Sequence, residues 1–190
     1  PGGRQKYPLL HQKREAMLTR ILDTAREIMR EEGVAALSMQ ELARRLNMRA
    51  PSLYNYFSGK MEIYDALFQL GYGKFAAQIN HYLNEDGDWQ TQLTNLMKNY
   101  MEFALENPEL YQLCFERPVP GFVPSEESLQ ISFGILERTY AHVKTWLPEL
   151  NTSLNERQLT DLLIAINHGI TALHLANQTD VPLEESRFAS

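Results

Sequence analysis

The sequence has 190 residues, 44% of them apolar, with a formal net charge of −6 and a pI near 5.4, the profile of an ordinary soluble globular protein of one large or two small domains. Cys114 is the single cysteine, which excludes a disulfide framework and a cysteine-based zinc site and fits a reducing, cytoplasmic home. No apolar run reaches the length of a membrane span and residues 1–12 lack a signal-peptide core, so neither a membrane partner nor secretion is expected.

Residues 1–12 read as a flexible arm or a remnant. A first helix is expected from Lys13 to Glu32, because Leu18, Ile21, Leu22, Ala25, Ile28 and Met29 repeat on one face and Gly33 supplies the stop. Ser38 followed by Glu41 is a capping box, with the hydroxyl accepting from the Glu41 amide while the carboxylate reaches back. The short helix it starts carries Leu42, Ala43 and Leu46 on one face and ends near Asn47, a residue that tolerates the left-handed conformation of a tight turn. Pro51 then suits the first turn of a second helix running to Tyr56.

Helix, tight turn and helix form the helix-turn-helix unit, whose second helix enters the DNA major groove. The expected head is a three-helix domain over 13–60 with Leu37, Leu42, Leu46, Leu53 and Phe57 as its core. Its charge agrees: residues 1–60 hold 11 Lys and Arg against 6 Asp and Glu, a net of +5, whereas 61–190 hold 7 against 18, a net of −11. A basic end facing DNA and an acidic remainder facing away is electrostatically consistent.

Leu53 and Phe57 share the buried face, which leaves Arg49, Ala50, Pro51, Ser52, Asn55 and Tyr56 outward or sideways. Ser52 and Asn55 can hydrogen-bond bases, and Ala50 and Pro51 can meet a thymine methyl. The capping residue Ser38 joins this DNA-binding set. Tyr54 either completes the core or reaches a phosphate with its hydroxyl. Lys60 opens the next helix, where an ammonium and a helix N-terminus together seat a phosphate. Arg44 and Arg45 are read as solvated charges rather than contacts.

The run LARRLNMRAPSLYNYFSGKMEIYDAL resembles the DNA-binding signature of the tetracycline-repressor (TetR) family, closely over Thr19 to Leu70 and more loosely beyond. Many relatives carry Gly where this chain has Asn47, a substitution that keeps positive φ accessible. The resemblance implies that Gln40 also reaches the groove and that Tyr54, Tyr56 and Lys60 meet phosphates. It further implies a connecting helix, 61–83, that carries a signal from the rest of the chain.

That connecting helix is interrupted by Gly71-Tyr72-Gly73, which marks a bend, a close-packing site or a tolerated weakness. Asn84 to Asp88 is a loop. Helices follow at Trp89–Glu106, Pro108–Phe115, Glu126–Leu147 and Asn155–Asn177, with breaks at Arg117–Ser125 and Pro148. NPELYQLCFERPVPG and Asn167-His168-Gly169 look like the ligand-binding half of a TetR subgroup with a Trp-His-Gly triplet, Asn167 standing in place of the Trp.

The overall expectation is an all-α fold in which the helix-turn-helix head precedes a helical ligand-binding and dimerisation bundle, 61–190. The last two long helices carry more apolar surface than one core face requires. Leu129, Leu136, Leu162, Ile166, Gly169, Ile170 and Leu173 are therefore placed at a homodimer interface, since two heads one DNA turn apart read a palindrome. Tyr100, Phe103, Leu110, Tyr111, Phe115, Phe133, Tyr140 and His168 are candidates for a small-molecule pocket, or for dry core.

No metal spacing among the five histidines, no phosphate loop and no nucleophile elbow occurs, so neither catalysis, metal nor cofactor is expected. The predicted function is a dimeric regulator, a repressor released from a double-stranded operator by an unidentified apolar or aromatic effector. The alternative is a DNA-bound protein of the same fold whose bundle docks another protein.

Overall fold

The computed structural model describes residues 6–83, 87–177, 181 and 185, without the side chains of 6–9 and 81–83. Eight α-helices occur among the described residues, and no strand: α1 (Lys6–Glu32), α2 (Met39–Arg45), α3 (Ala50–Leu53), α4 (Lys60–Leu83), α5 (Trp89–Glu106), α6 (Pro108–Tyr111), α7 (Glu126–Trp146) and α8 (Glu156–Asn177). A π-helical turn, Gln112–Glu116, extends α6 to one residue past the expected end at Phe115. α1 begins seven residues before the expected start at Lys13, so the expected arm is helical from Lys6 to Gln12. Pro8 permits this because the amides of a first helical turn lack intrahelical partners. The expected loop at 84–88 is described only at Gly87 and Asp88, and Asp88 caps α5 by accepting from the Thr91 amide at 2.8 Å.

The chain divides into two compact units, and the division falls inside α4: Pro1–Leu70 with Glu109–Ser125, and Gly71–Pro108 with Glu126–Ser190. In the first unit Ile21, Ala25, Ile28 and Met29 of α1 are buried, as are Leu37, Leu42, Leu46, Leu53 and Phe57, the core set expected for the head. The segment 109–125 completes this core from far along the chain. Glu109 is buried and accepts from Nε of Arg26 and Nε of Arg30, each at 2.7 Å, the two arginines standing one turn apart on α1. Phe122 packs at 5.7 Å between ring centroids from Tyr64, and Ser125 donates from its amide and its hydroxyl to the Asp65 carboxylate, both at 2.8 Å. The unit therefore takes in more than 13–60.

The second unit contains α5, α7, α8 and the later part of α4. α8 opens on a reciprocal cap: Asn155 Oδ1 accepts from the Gln158 amide at 3.0 Å, and Gln158 Oε1 accepts from the Asn155 amide at 3.1 Å. α7 buries Ser128, Ile135, Val143 and Trp146, with Trp146 Nε1 donating to Gln92 Oε1 of α5 at 2.6 Å. This inner face includes Ile135 and Trp146, neither of which was among the α7 residues given a role from sequence. Phe133, two residues from Ile135 and so roughly opposite it around the helix, is 58% exposed and does not line the interior.

α8 is turned with its polar side inward. Its buried residues are Thr160, Asn167, Thr171 and His174, while Leu162, Ile164, Ile166 and Leu173 are exposed. By length and composition alone α8 is apolar enough to cross a membrane, its most apolar 18-residue stretch having a mean hydropathy of 1.3, but one such helix does not mark a membrane span, since helices of soluble proteins pass the same test.

Candidate nucleic-acid interface

The helix-turn-helix is built by local hydrogen bonding. Ser38 Oγ accepts from the Glu41 amide at 3.2 Å, so half of the expected capping box forms. The other half does not, because the Glu41 carboxylate turns to Arg44 and Arg45 instead, at 2.6–2.8 Å. Those two guanidiniums hold its pKa down at about 2. Arg45 also donates to Glu31 and Glu32. Arg44 and Arg45 are thus engaged by carboxylates and tie α2 together and to α1, where the sequence suggested solvated charges.

The turn after α2 is a Schellman motif: the Met48 amide donates to the Ala43 carbonyl at 2.9 Å, the Asn47 amide to the Arg44 carbonyl at 3.1 Å, and Asn47 has φ 54°. α3 follows with Arg49 at its N-cap and Pro51 in its first turn. It is shorter than expected, since the helix closes at Leu53 and residues 54–56 continue as turns. There the Asn55 and Tyr56 amides bond three residues back, to Ser52 and Leu53, at 3.4 and 2.9 Å.

Leu53 and Phe57 are buried, so the remaining side chains face away from the core. Tyr54 is 55% exposed, and of its two expected roles the core role is excluded. Pro51, Asn55, Arg49, Gln40 and Lys60 are exposed, and Ser38, Ala50, Ser52 and Tyr56 are half-buried. Lys60 is the first residue of α4, where Glu62 accepts from the Ser58 amide just ahead of the helix. α3, its flanks and the start of α4 thus present hydroxyls, amides and two cations around one exposed ridge.

Sequence reasoning missed one member of this group. Arg14, within the early part of α1, lies 5.3 Å from the centroid of the Tyr56 ring and donates from Nη1 to the Asn55 carbonyl at 3.3 Å. It stands four residues before Leu18 and seven before Ile21, in line with the apolar stripe of α1, a charge where the repeat calls for an apolar residue, but 41 residues separate it from Asn55. Among the described residues no three His, Cys, Asp or Glu side chains gather as a metal site.

A capped helix, a left-handed turn and a second helix with its polar side outward, joined to a helical bundle, define the helix-turn-helix class of regulatory protein. Residues 21–67 match the family model of bacterial regulatory proteins of the tetR family, and 93–190 match the tetracyclin repressor-like C-terminal domain. The chain belongs to the TetR family of regulatory proteins, which are not enzymes. Among curated proteins it is similar to the uncharacterized HTH-type transcriptional regulator YobS of Bacillus subtilis, 37% identical over 93 residues, 48% of each chain. It thus spans about half the length of the curated relatives it matches.

Two solved structures share the fold. One is the TetR family transcriptional regulator PfmR of Thermus thermophilus, with a TM-score of 0.61 and 20% identity, covering 80% of this chain and 83% of that one. The other is the transcriptional regulator FadR of Bacillus subtilis in complex with stearoyl-CoA, with a TM-score of 0.64 and 16% identity, covering 90% and 91%.

Proposed function

We propose that two copies of this chain bind a palindromic operator in the cytoplasm and repress transcription until a small molecule enters the second unit. The supporting observation is the exposed ridge at α3, where Leu53 alone is buried and the groups that read bases and hold phosphates face outward. Ser52, Asn55, Gln40 and Ser38 supply base-edge hydrogen bonds, Ala50 and Pro51 apolar contact, and Arg49, Tyr54, Tyr56 and Lys60 the phosphate contacts. Arg14 joins the phosphate set through its place beside Tyr56.

Pairing of copies is supported by the outward apolar face of α7 and α8. Leu162, Ile166 and Leu173 are exposed at helical spacing, Gly169 between them has open space at its Cβ position, and Leu129, Leu136 and Ile170 are half-buried beside them. Phe133 belongs with this face rather than with a pocket. Of the other expected pocket residues, Tyr100, Phe103, Tyr140 and His168 are in the second unit, and Leu110, Tyr111 and Phe115 are in the first. The effector is placed on the second-unit group, where Tyr100 Oη stands 3.0 Å from His168 Nδ1.

The test is binding of selected duplexes by fluorescence anisotropy over a salt series. Lys60→Ala is expected to weaken all sequences equally and to lower the salt slope by about one unit. Ser52→Ala is expected to relax preference at one base pair by about 1–3 kcal/mol. Absence of preference for any duplex at low salt would overturn the reading.

A further inference from the structure

We propose that the second unit binds an uncharged ligand bearing a hydroxyl, carbonyl or amide group, held between α5 and α8 by Asn99, Asn167 and Thr171. This rests on reading the second unit as the effector-binding part. The starting observation is the inverted α8. Thr171 is 1% exposed and Asn167 8%, one turn apart on the inner face, and Asn99 of α5 is 0% exposed. Asn99 Nδ2 and Oδ1, Asn167 Oδ1 and Thr171 Oγ are all buried with no protein hydrogen-bond partner. The Tyr100–His168 pair, one residue on in each helix, fixes α5 and α8 side by side at the level of Asn99 and Asn167.

A buried amide or hydroxyl without a partner costs the full desolvation of that group, and folded proteins rarely tolerate several together. Leucine and valine of matching shape would serve a purely structural core better. Four orphan atoms on two facing helices therefore call for a hydrogen-bonding guest, and a ligand that displaces water from them is read out by the thermal shift below. The set offers an amide donor, two amide acceptors and a hydroxyl that does either.

Charge narrows the class further. Among the described residues of the second unit no Lys, Arg, Asp or Glu is buried, so a carboxylate or phosphate would find no permanently charged cation there, only the imidazoles of His168 and His174, and an ammonium would find no buried carboxylate. The neighbouring surface is aromatic: Phe75 stands 5.7 Å from Tyr100 and 5.3 Å from Phe103 between centroids. An apolar or aromatic skeleton with one neutral polar group is the matching chemistry.

The experiment uses the whole chain and thermal shift with the alcohol, amide and carboxylate of three skeletons: benzyl, naphthyl and decyl. Alcohols or amides of at least one skeleton are expected to raise Tm, and the matching carboxylate is not. Asn99→Leu and the near-isosteric Thr171→Val are expected to abolish that rise while raising the Tm of the unliganded protein by about 2–6 °C, because each removes an unsatisfied buried group. Stabilisation by none of the nine compounds overturns the proposal. So does equal stabilisation by carboxylates, or a lowered unliganded Tm in both variants. Operator binding measured on the same samples separates the two readings. Stabilisation without release of DNA keeps this site and removes the effector role. Release by a carboxylate, unchanged in both variants, keeps the effector role and removes this site.

Discussion

α1 and α8 are both long and amphipathic, yet they are turned opposite ways. α1 buries Ile21, Ala25, Ile28 and Met29 and pairs Arg26 and Arg30 with a buried carboxylate, so its inner face is completed by its own chain. α8 buries Thr160, Asn167, Thr171 and His174 and leaves Leu162, Ile164, Ile166 and Leu173 outside. The difference teaches that an amphipathic helix does not by itself say which side faces in. A helix turned as α8 is needs apolar company outside and hydrogen-bonding company inside.

The sharpest way to break α1's self-sufficiency is Glu109→Ala. It strands Arg26, whose side chain is 14% exposed, and should cost about 4 kcal/mol, seen as a fall in Tm of roughly 8–16 °C. Trimming the two helices alike comes next. Ile21→Ala, at a fully buried site, should cost about 3 kcal/mol in urea unfolding at concentrations low enough to keep the chain monomeric, against about 1 kcal/mol or less there for Leu173→Ala, which is half exposed in the single chain. Equal losses would mean that α8 is buried in the free chain. Ile166→Asp addresses the proposed pairing: the protein should sediment as a monomer and bind operator about a hundredfold more weakly, with little change in its circular dichroism.

The smallest effect concerns the surface cluster that joins α1 to α2. The Glu41 carboxyl is held below its ordinary value of 4.5, at about 2, by Arg44 and Arg45. Its contribution is therefore complete above the ordinary value and is lost as pH falls through the lowered one. The Tm difference between the protein and its Glu41→Gln variant should be constant from about pH 8 to about pH 5 and shrink below that.

Much of this was legible where the physics is local. The Ser38 cap, the Asn47 turn and the Pro51 start identified the helix-turn-helix, and the bounds of α5 follow the expectation. The rest depended on contacts between distant residues. Glu109 meets Arg26 and Arg30 across 83 and 79 positions, and no periodicity reports such a pairing. Likewise the stripe Leu162, Ile166, Leu173 announced an apolar face without saying that the polar face was the buried one. Arg14 interrupts the apolar stripe of α1 one turn before Leu18, yet nothing in that position names Tyr56 as its partner.

The return of residues 109–125 to the first unit also bears on how this protein is made. The part nearest the amino terminus cannot close when its own last residue leaves the ribosome. It waits for Ser125, with Tyr64 and Phe68 uncovered until Phe122 arrives. Excising it by a single cut at residue 70 would remove the strap along with the bundle, leaving a fragment with two cations facing an empty slot.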